Sequence, residues 1–111
     1  MDANLVETIQ AGANQPYLTP LAPQASSIAK AEFLIQNKKY QEAEKLLLGV
    51  KYNKQPPATL KDSNHKLIYR EALLETKMLH KDLLRTLADQ AMNKKNYSSA
   101  NAIYDYMDAL K

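Results

Sequence analysis

The chain has no cysteine and no tryptophan, and only two glycines and one phenylalanine among 111 residues. Without cysteine there is no disulfide framework, no cysteine-ligated zinc and no thiol nucleophile. The compartment stays open, because cysteine-free domains serve in reducing and oxidising surroundings alike. Arginine occurs only as Arg70 and Arg85, and 15 basic residues are interleaved with 12 acidic ones, for a net charge of +3. A nucleic-acid face needs clustered Arg and Lys, so this mild excess reads as a mixed, solvated surface. No run approaches the roughly 18 apolar residues of a membrane span. The opening MDANLVETIQAG lacks the basic start and apolar core of a secretory signal.

Catalytic signatures are missing too. There is no G-x-S-x-G, no phosphate-binding loop and no G-x-G-x-x-G. His65 and His80 are the only histidines, and neither stands in H-E-x-x-H or E-x-x-H spacing. Both read as solvent-facing or capping residues. Glu71 and Glu75 share a helix face between Arg70 and Lys77. A catalytic carboxylate pair would need a pocket that shifts one pKa, so they read as a solvated face. The expectation is a protein that is not an enzyme, with no catalytic residue, no metal site and no cofactor.

What remains is rich in Leu, Ala, Lys, Glu and Gln from residue 24 onward, all good helix formers. The expected class is all-α, built of antiparallel helical hairpins. Residues 2–11 read as a short helix, with Asp2 as cap, Leu5, Val6 and Ile9 on one face, and Gly12 as the stop. Residues 13–24, ANQPYLTPLAPQ, hold three of the five prolines. Each proline removes a donor and biases its predecessor toward extended backbone. This stretch is therefore read as extended, tied down by Tyr17, Leu18 and Leu21 or else a free linker. Residues 1–24 form a lead-in, and 25–111 the helical domain.

Within that domain a helix is expected from Ser26 to Gln36, with Ser26 or Ser27 capping and Ile28, Ala31, Leu34 and Ile35 at helical spacing. After a turn at Asn37–Lys38, a second runs from Tyr40 to Tyr52 with Tyr40, Ala43, Leu47 and Val50 in line. Gly49 weakens its last turn. NKQPPAT, residues 53–59, is a break. A third helix starts near Asp62 or Ser63. No Gly or Pro follows, so the run is either one helix of about thirty residues or two, broken at His80–Lys81–Asp82. The polar triplet favours a break. A turn at Asn93–Asn96 leads to a last helix from Tyr97 to Leu110.

NKKYQEA at 37–43 and NKKNYSSA at 93–100 look like one unit used twice. Aligned on Tyr40 and Tyr97, an offset of 57 residues, Ala31 matches Ala88, Leu34 matches Ala91, Ala43 matches Ala100, Leu47 matches Tyr104 and Val50 matches Met107. Small alanines let paired backbones approach. By this alignment Tyr97 and Tyr104 belong to the core, and Tyr106 is the better exposed contact. The pairs Lys38–Lys39 and Lys94–Lys95 sit where cations favour the end of a helix dipole.

The spacing resembles the tetratricopeptide repeat, with a small residue on the first helix, an aromatic after the turn, Ala three residues on, and large apolar residues beyond. Leu84, Leu87, Ala88, Ala91, Tyr97, Ala100, Tyr104 and Met107 carry the resemblance in one unit. Ile28, Ala31, Leu34, Tyr40, Ala43, Leu47 and Val50 carry it less completely in the other, where Ser27 and Lys30 replace large apolar residues. The usual turn glycine is Lys38 or Lys95, and the offset exceeds the roughly 34 residues of a continuous array. The resemblance implies either a right-handed helical repeat or an irregular helical bundle. It also implies a non-enzymatic scaffold or interaction module that binds a peptide or partner helix in a groove lined by the first helix of each hairpin. Carried over, the groove residues are Ile28, Glu32, Ile35 and Gln36, with Arg85, Asp89, Met92 and Asn93. The family's carboxylate clamp uses Lys and Asn, whereas this groove has Glu32 and Asp89, so a peptide with apolar anchors and basic residues fits better.

Residues 17–47 also resemble part of the bacterial YfdX family, with its Tyr-Leu-Pro-Leu-like stretch, a helix with Ala and Leu-Leu, a turn and an Ala-Lys-Leu-Leu helix. That resemblance accounts for the Pro-rich entry and implies a periplasmic, stress-associated helical protein that self-associates. The alternatives thus differ in place and partner. One is cytoplasmic if the chain is complete and binds a protein or peptide. The other is a mature periplasmic domain that forms a homo-oligomer.

Overall fold

A computed structural model describes residues 18–53, 56–58 and 60–110. The helix expected over residues 2–11 and the anchor expected at Tyr17 lie outside them. The fold is all-α. A 3₁₀ turn, Thr19–Leu21, leads into α1 (Ala22–Gln36), α2 (Tyr40–Leu48), α3 (Ser63–Asn93) and α4 (Tyr97–Ala109). α1 pairs with α2 and α3 with α4, while α1 and α2 both lie against α3. The molecule measures 48 × 26 × 20 Å, because α3, at 31 residues, is by itself about 46 Å long.

α1 begins at Ala22 rather than Ser26, so the end of the stretch read as extended is already helical. Pro23 falls in the first helical turn, where a missing donor costs nothing. Leu21 precedes it as the N-cap without a side-chain bond, and Ser26 and Ser27 do not cap. Leu18 and Leu21 bury themselves in the core and tie the entry down. α2 stops at Leu48, short of Tyr52, with Gly49 as its C-cap. α3 opens as the sequence indicates: the Asp62 carboxylate accepts from the Asn64 amide at 2.8 Å.

α3 does not break at His80–Lys81–Asp82. It runs unbroken to Asn93. The polar triplet is divided by face: His80 points inward with two partners, and Asp82 points outward to Arg85 at 2.9 Å. A polar side chain disrupts a helix by competing for nearby backbone groups, and His80 and Asp82 bond elsewhere instead.

The two hairpin turns are the same structure. After α1, the Lys38 amide donates to Ile35 O at 3.0 Å and the Lys39 amide to Leu34 O at 2.8 Å. After α3, the Lys95 amide donates to Met92 O at 3.0 Å and the Asn96 amide to Ala91 O at 2.7 Å. Both sets of bonds satisfy orphan carbonyls at a helix end through one left-handed residue. That residue is Lys38 (φ 59°) in one turn and Lys95 (φ 58°) in the other. The next residue then caps the following helix. Asn96 does so with its side chain, accepting from the Ser99 amide, whereas Lys39 has no acceptor to offer.

The core joins Ala25, Ile28 and Ala31 of α1, Ala43 and Leu47 of α2, Tyr69, Ala72, Leu84, Leu87 and Ala88 of α3, and Ile103 of α4. Ala43 and Ala100 are both buried where their hairpins close. One turn later the two units diverge. Leu47 is buried, but its counterpart Tyr104 is 43 % exposed and Ile103 takes the inward place. Tyr97, also read as core, is 54 % exposed. The reason is position: α3 covers the flank of α2, while no helix among the described residues follows α4. Tyr106, read as an exposed contact, is instead half-buried and bonded through its hydroxyl to Val50 O.

Candidate functional site

The residues assigned to the groove separate by depth. Ile28 is fully buried and belongs to the core, where no ligand reaches it. Glu32 and Ile35 are half-buried on α1, with Ile35 packed against the core. Gln36, at the end of α1, is exposed, as are Arg85, Asp89, Met92 and Asn93 on the outer face of α3. Arg85 is occupied by its own helix neighbour Asp82. Because both residues are well exposed, that ion pair is screened and readily exchanged. The surface that remains is charged on α3, with Met92, 45 % exposed, as its apolar point.

A concavity that sequence reasoning missed lies where the hairpins meet. It holds about 280 Å³, with Leu87 and Ala91 of α3 among its apolar lining and Tyr40, Glu44, Gln90 and Lys94 among its polar lining. Lys94 Nζ stands 5.3 Å from the centre of the Tyr40 ring, a cation–π arrangement. Gln90 Nε2 reaches the Tyr40 hydroxyl at 3.5 Å. The tyrosine after the first turn is thus held by the end of the second hairpin's long helix. The available signal was the tyrosine itself: a ring just after a hairpin turn must lie on something, and the next hairpin is the nearest surface.

The other missed feature is His80. It is fully buried, not solvent-facing or capping. Its Nε2 lies 2.9 Å from Leu47 O, at the open end of α2, and its Nδ1 lies 3.0 Å from the Tyr52 hydroxyl. A carbonyl only accepts, so Nε2 carries the proton, Nδ1 accepts, and Tyr52 donates. One neutral tautomer satisfies every partner. Burial lowers the His80 pKa from 6.5 to about 4, against a smaller upward pull from the Leu47 bond. Burial raises Tyr106 to about 12. It also raises Tyr52, helped by Tyr106. The rings of Tyr52 and Tyr106 flank the imidazole at 5.8 and 5.2 Å between centroids.

This cluster closes one side of a cleft of about 550 Å³ lined by Val50, Tyr52, Leu73, Lys77, Tyr106 and Leu110, among others. Both imidazole nitrogens are committed to structural bonds, so the ring has no lone pair to lend to a substrate. Its chemistry is that of a clasp joining α2, α3 and α4. Among the described residues no group of three or more His, Cys, Asp or Glu gathers around a common point. Among the same residues no helix is long and apolar enough to cross a membrane.

No family model, no curated protein and no solved structure matches the chain.

Proposed function

We propose that this protein is a non-enzymatic interaction module. In this reading its two hairpins are tetratricopeptide-like units, and the first helix of each, α1 and α3, presents a surface to a peptide or partner helix. One observation carries the reading: the two hairpins use the same turn, bond for bond, with left-handed Lys38 and Lys95 where the resembled repeat places glycine. Two equivalent hairpins with their first helices in contact form the framework on which such repeats hold extended ligands.

The contact surface consists of Gln36 with Arg85, Asp89, Met92 and Asn93, and Glu32 at its edge. Met92 supplies the apolar anchor. The carboxylates of Glu32 and Asp89 favour a basic ligand and act on encounter rate and register more than on final affinity.

The test is selection of peptides from a random displayed library on the intact chain, followed by binding kinetics with variants. Glu32→Lys/Asp89→Lys is expected to slow association, and Met92→Asp to speed dissociation, with far-UV circular dichroism unchanged. Selected peptides whose binding survives all three substitutions would remove this surface from consideration and direct attention to the cleft beside Tyr40.

A further inference from the structure

The outer face of α3 changes character along its length. The second half carries the charged surface just described. The first half carries Leu67, Leu74 and Met78, exposed by 56 %, 60 % and 50 %. Seven and four residues apart, they form one stripe on the side of α3 opposite Tyr69, Ala72, Thr76 and His80, which face the protein's own core. A single exposed leucine is ordinary. Three large apolar side chains in register on one helix call for a partner.

The charges beside the stripe say which partner. With Leu67 and Leu74 at d positions and Met78 at an a position of a heptad, the g positions are Arg70 and Lys77. The e positions are Ile68, Glu75 and Asp82. One edge of the stripe is thus basic and the other largely acidic. In a parallel pair of helices each g residue faces the e residue five positions on in the other helix. Arg70 then meets the partner's Glu75, and Lys77 meets the partner's Asp82. In an antiparallel pair g faces g and e faces e, which would set Arg70 and Lys77 among cations and Glu75 and Asp82 among anions.

We propose that the first half of α3 is a self-association face, through which two copies of the chain pair in parallel about a two-fold axis. Leu67, Leu74 and Met78 form the seam, and the basic edge of each copy lies along the acidic edge of the other. Tyr69, Ala72, Thr76 and His80 turn to the protein's own core on the far side of α3, while the segments around Tyr52 and Leu60 flank its basic edge beside Lys77 and Arg70 and leave the stripe itself open. The Lys77 ammonium, 5.3 Å from the Tyr52 ring centre, and the Asp82–Arg85 pair exchange these contacts for intermolecular ones. The seam spans about two heptads, fewer than the three or four that sustain an independent coiled coil, so the dimer is weak and dilution separates it. Glu71 lies at the remaining a position, where it meets its own symmetry mate and weakens the pair further. This face does not depend on peptide binding by the second half of α3.

The experiment is sedimentation velocity of the full chain across a dilution series. A monomer–dimer equilibrium is expected. Leu74→Glu should raise its dissociation constant at least about tenfold while leaving circular dichroism unchanged. Glu71→Leu should strengthen it. Arg70→Glu and Glu75→Arg should each weaken it, and the double variant should restore it. Because the chain has no cysteine, Leu67→Cys at the end of the seam reports orientation: a parallel pair brings the two substituted residues together, whereas an antiparallel pair over residues 67–78 sets them roughly 16 Å apart, so oxidation should link only a parallel dimer on a non-reducing gel. The proposal is overturned by a chain that stays monomeric at every concentration, by a dimer indifferent to Leu74→Glu, or by one that neither cross-links nor responds to the charge exchange. Met92→Asp and Glu32→Lys/Asp89→Lys should leave self-association intact, so failure here and failure of the peptide-binding reading are separate results.

Discussion

Lys38 and Lys95 lie 57 residues apart and adopt one backbone conformation, φ 59° and φ 58°. Each is a lysine in a region where a side chain crowds the following carbonyl, at a cost of about 1–2 kcal/mol. Both are exposed. The strain is therefore offset by the turn's bonds and not by any burial of the lysine.

Glycine at these sites should stabilise the fold. Lys38→Gly and Lys95→Gly are each expected to add about 1 kcal/mol, less the loss of a cation near a helix C-terminus, worth about 0.3–1 kcal/mol. Thermal melts of both single variants and the double variant measure this. Similar gains at the two sites are expected if the turns are equivalent. A gain at one site and a loss at the other would show that they are not.

Ala43 and Ala100 test hairpin closure in the opposite direction. Both are buried, on helices that pair with α1 and α3 respectively, and Ala→Leu at either should overpack the interior and cost about 1–3 kcal/mol. Denaturant midpoints that match the wild type would show that these positions have slack which the packing does not suggest.

His80 makes stability depend on pH. Its pKa is about 4 in the folded chain and 6.5 when unfolded. Between those values the unfolded state holds the extra proton, so the stability that His80 provides is complete above the unfolded value. It is lost as pH falls toward the folded one, to a total on the order of 3 kcal/mol. His80→Gln can keep a donor to Leu47 O and an acceptor for Tyr52 but does not titrate. Urea unfolding of both proteins at neutral pH and near the folded-state pKa isolates the effect, since the two differ only at residue 80. Parallel losses in the two proteins would rule His80 out as the cause.

The hairpins were legible because their signals are local. Asp62 caps where a capping residue precedes an apolar run, and the Ala–Tyr–Ala spacing marks both turns. The errors share a different origin. Pro23 was read as a breaker because residue identity was weighed without its place in the first turn. His80–Lys81–Asp82 was read as a break because composition does not show that Tyr52 and Leu47 O stand ready to receive one member of the triplet. Tyr97, Tyr104 and Tyr106 exchanged roles because burial on α4 depends on which neighbours α4 has. Internal repetition made α4 look like α2, whose flank α3 covers. For the groove, helical spacing places Arg85, Asp89 and Met92 on one face. It could not show that Ile28 looks into the core between α1 and α3.

The His80 clasp bears on how the molecule melts. Repeat arrays come apart one unit at a time, since each unit touches only its neighbours. Here the imidazole of α3 grips the end of α2, the segment after α2 reaches back through Tyr52, and Tyr106 of α4 holds Val50 on that same segment. Opening either hairpin breaks these bonds and uncovers the apolar face of the other. The two units are thereby coupled, and a single cooperative unfolding transition is expected in place of stepwise loss of the hairpins.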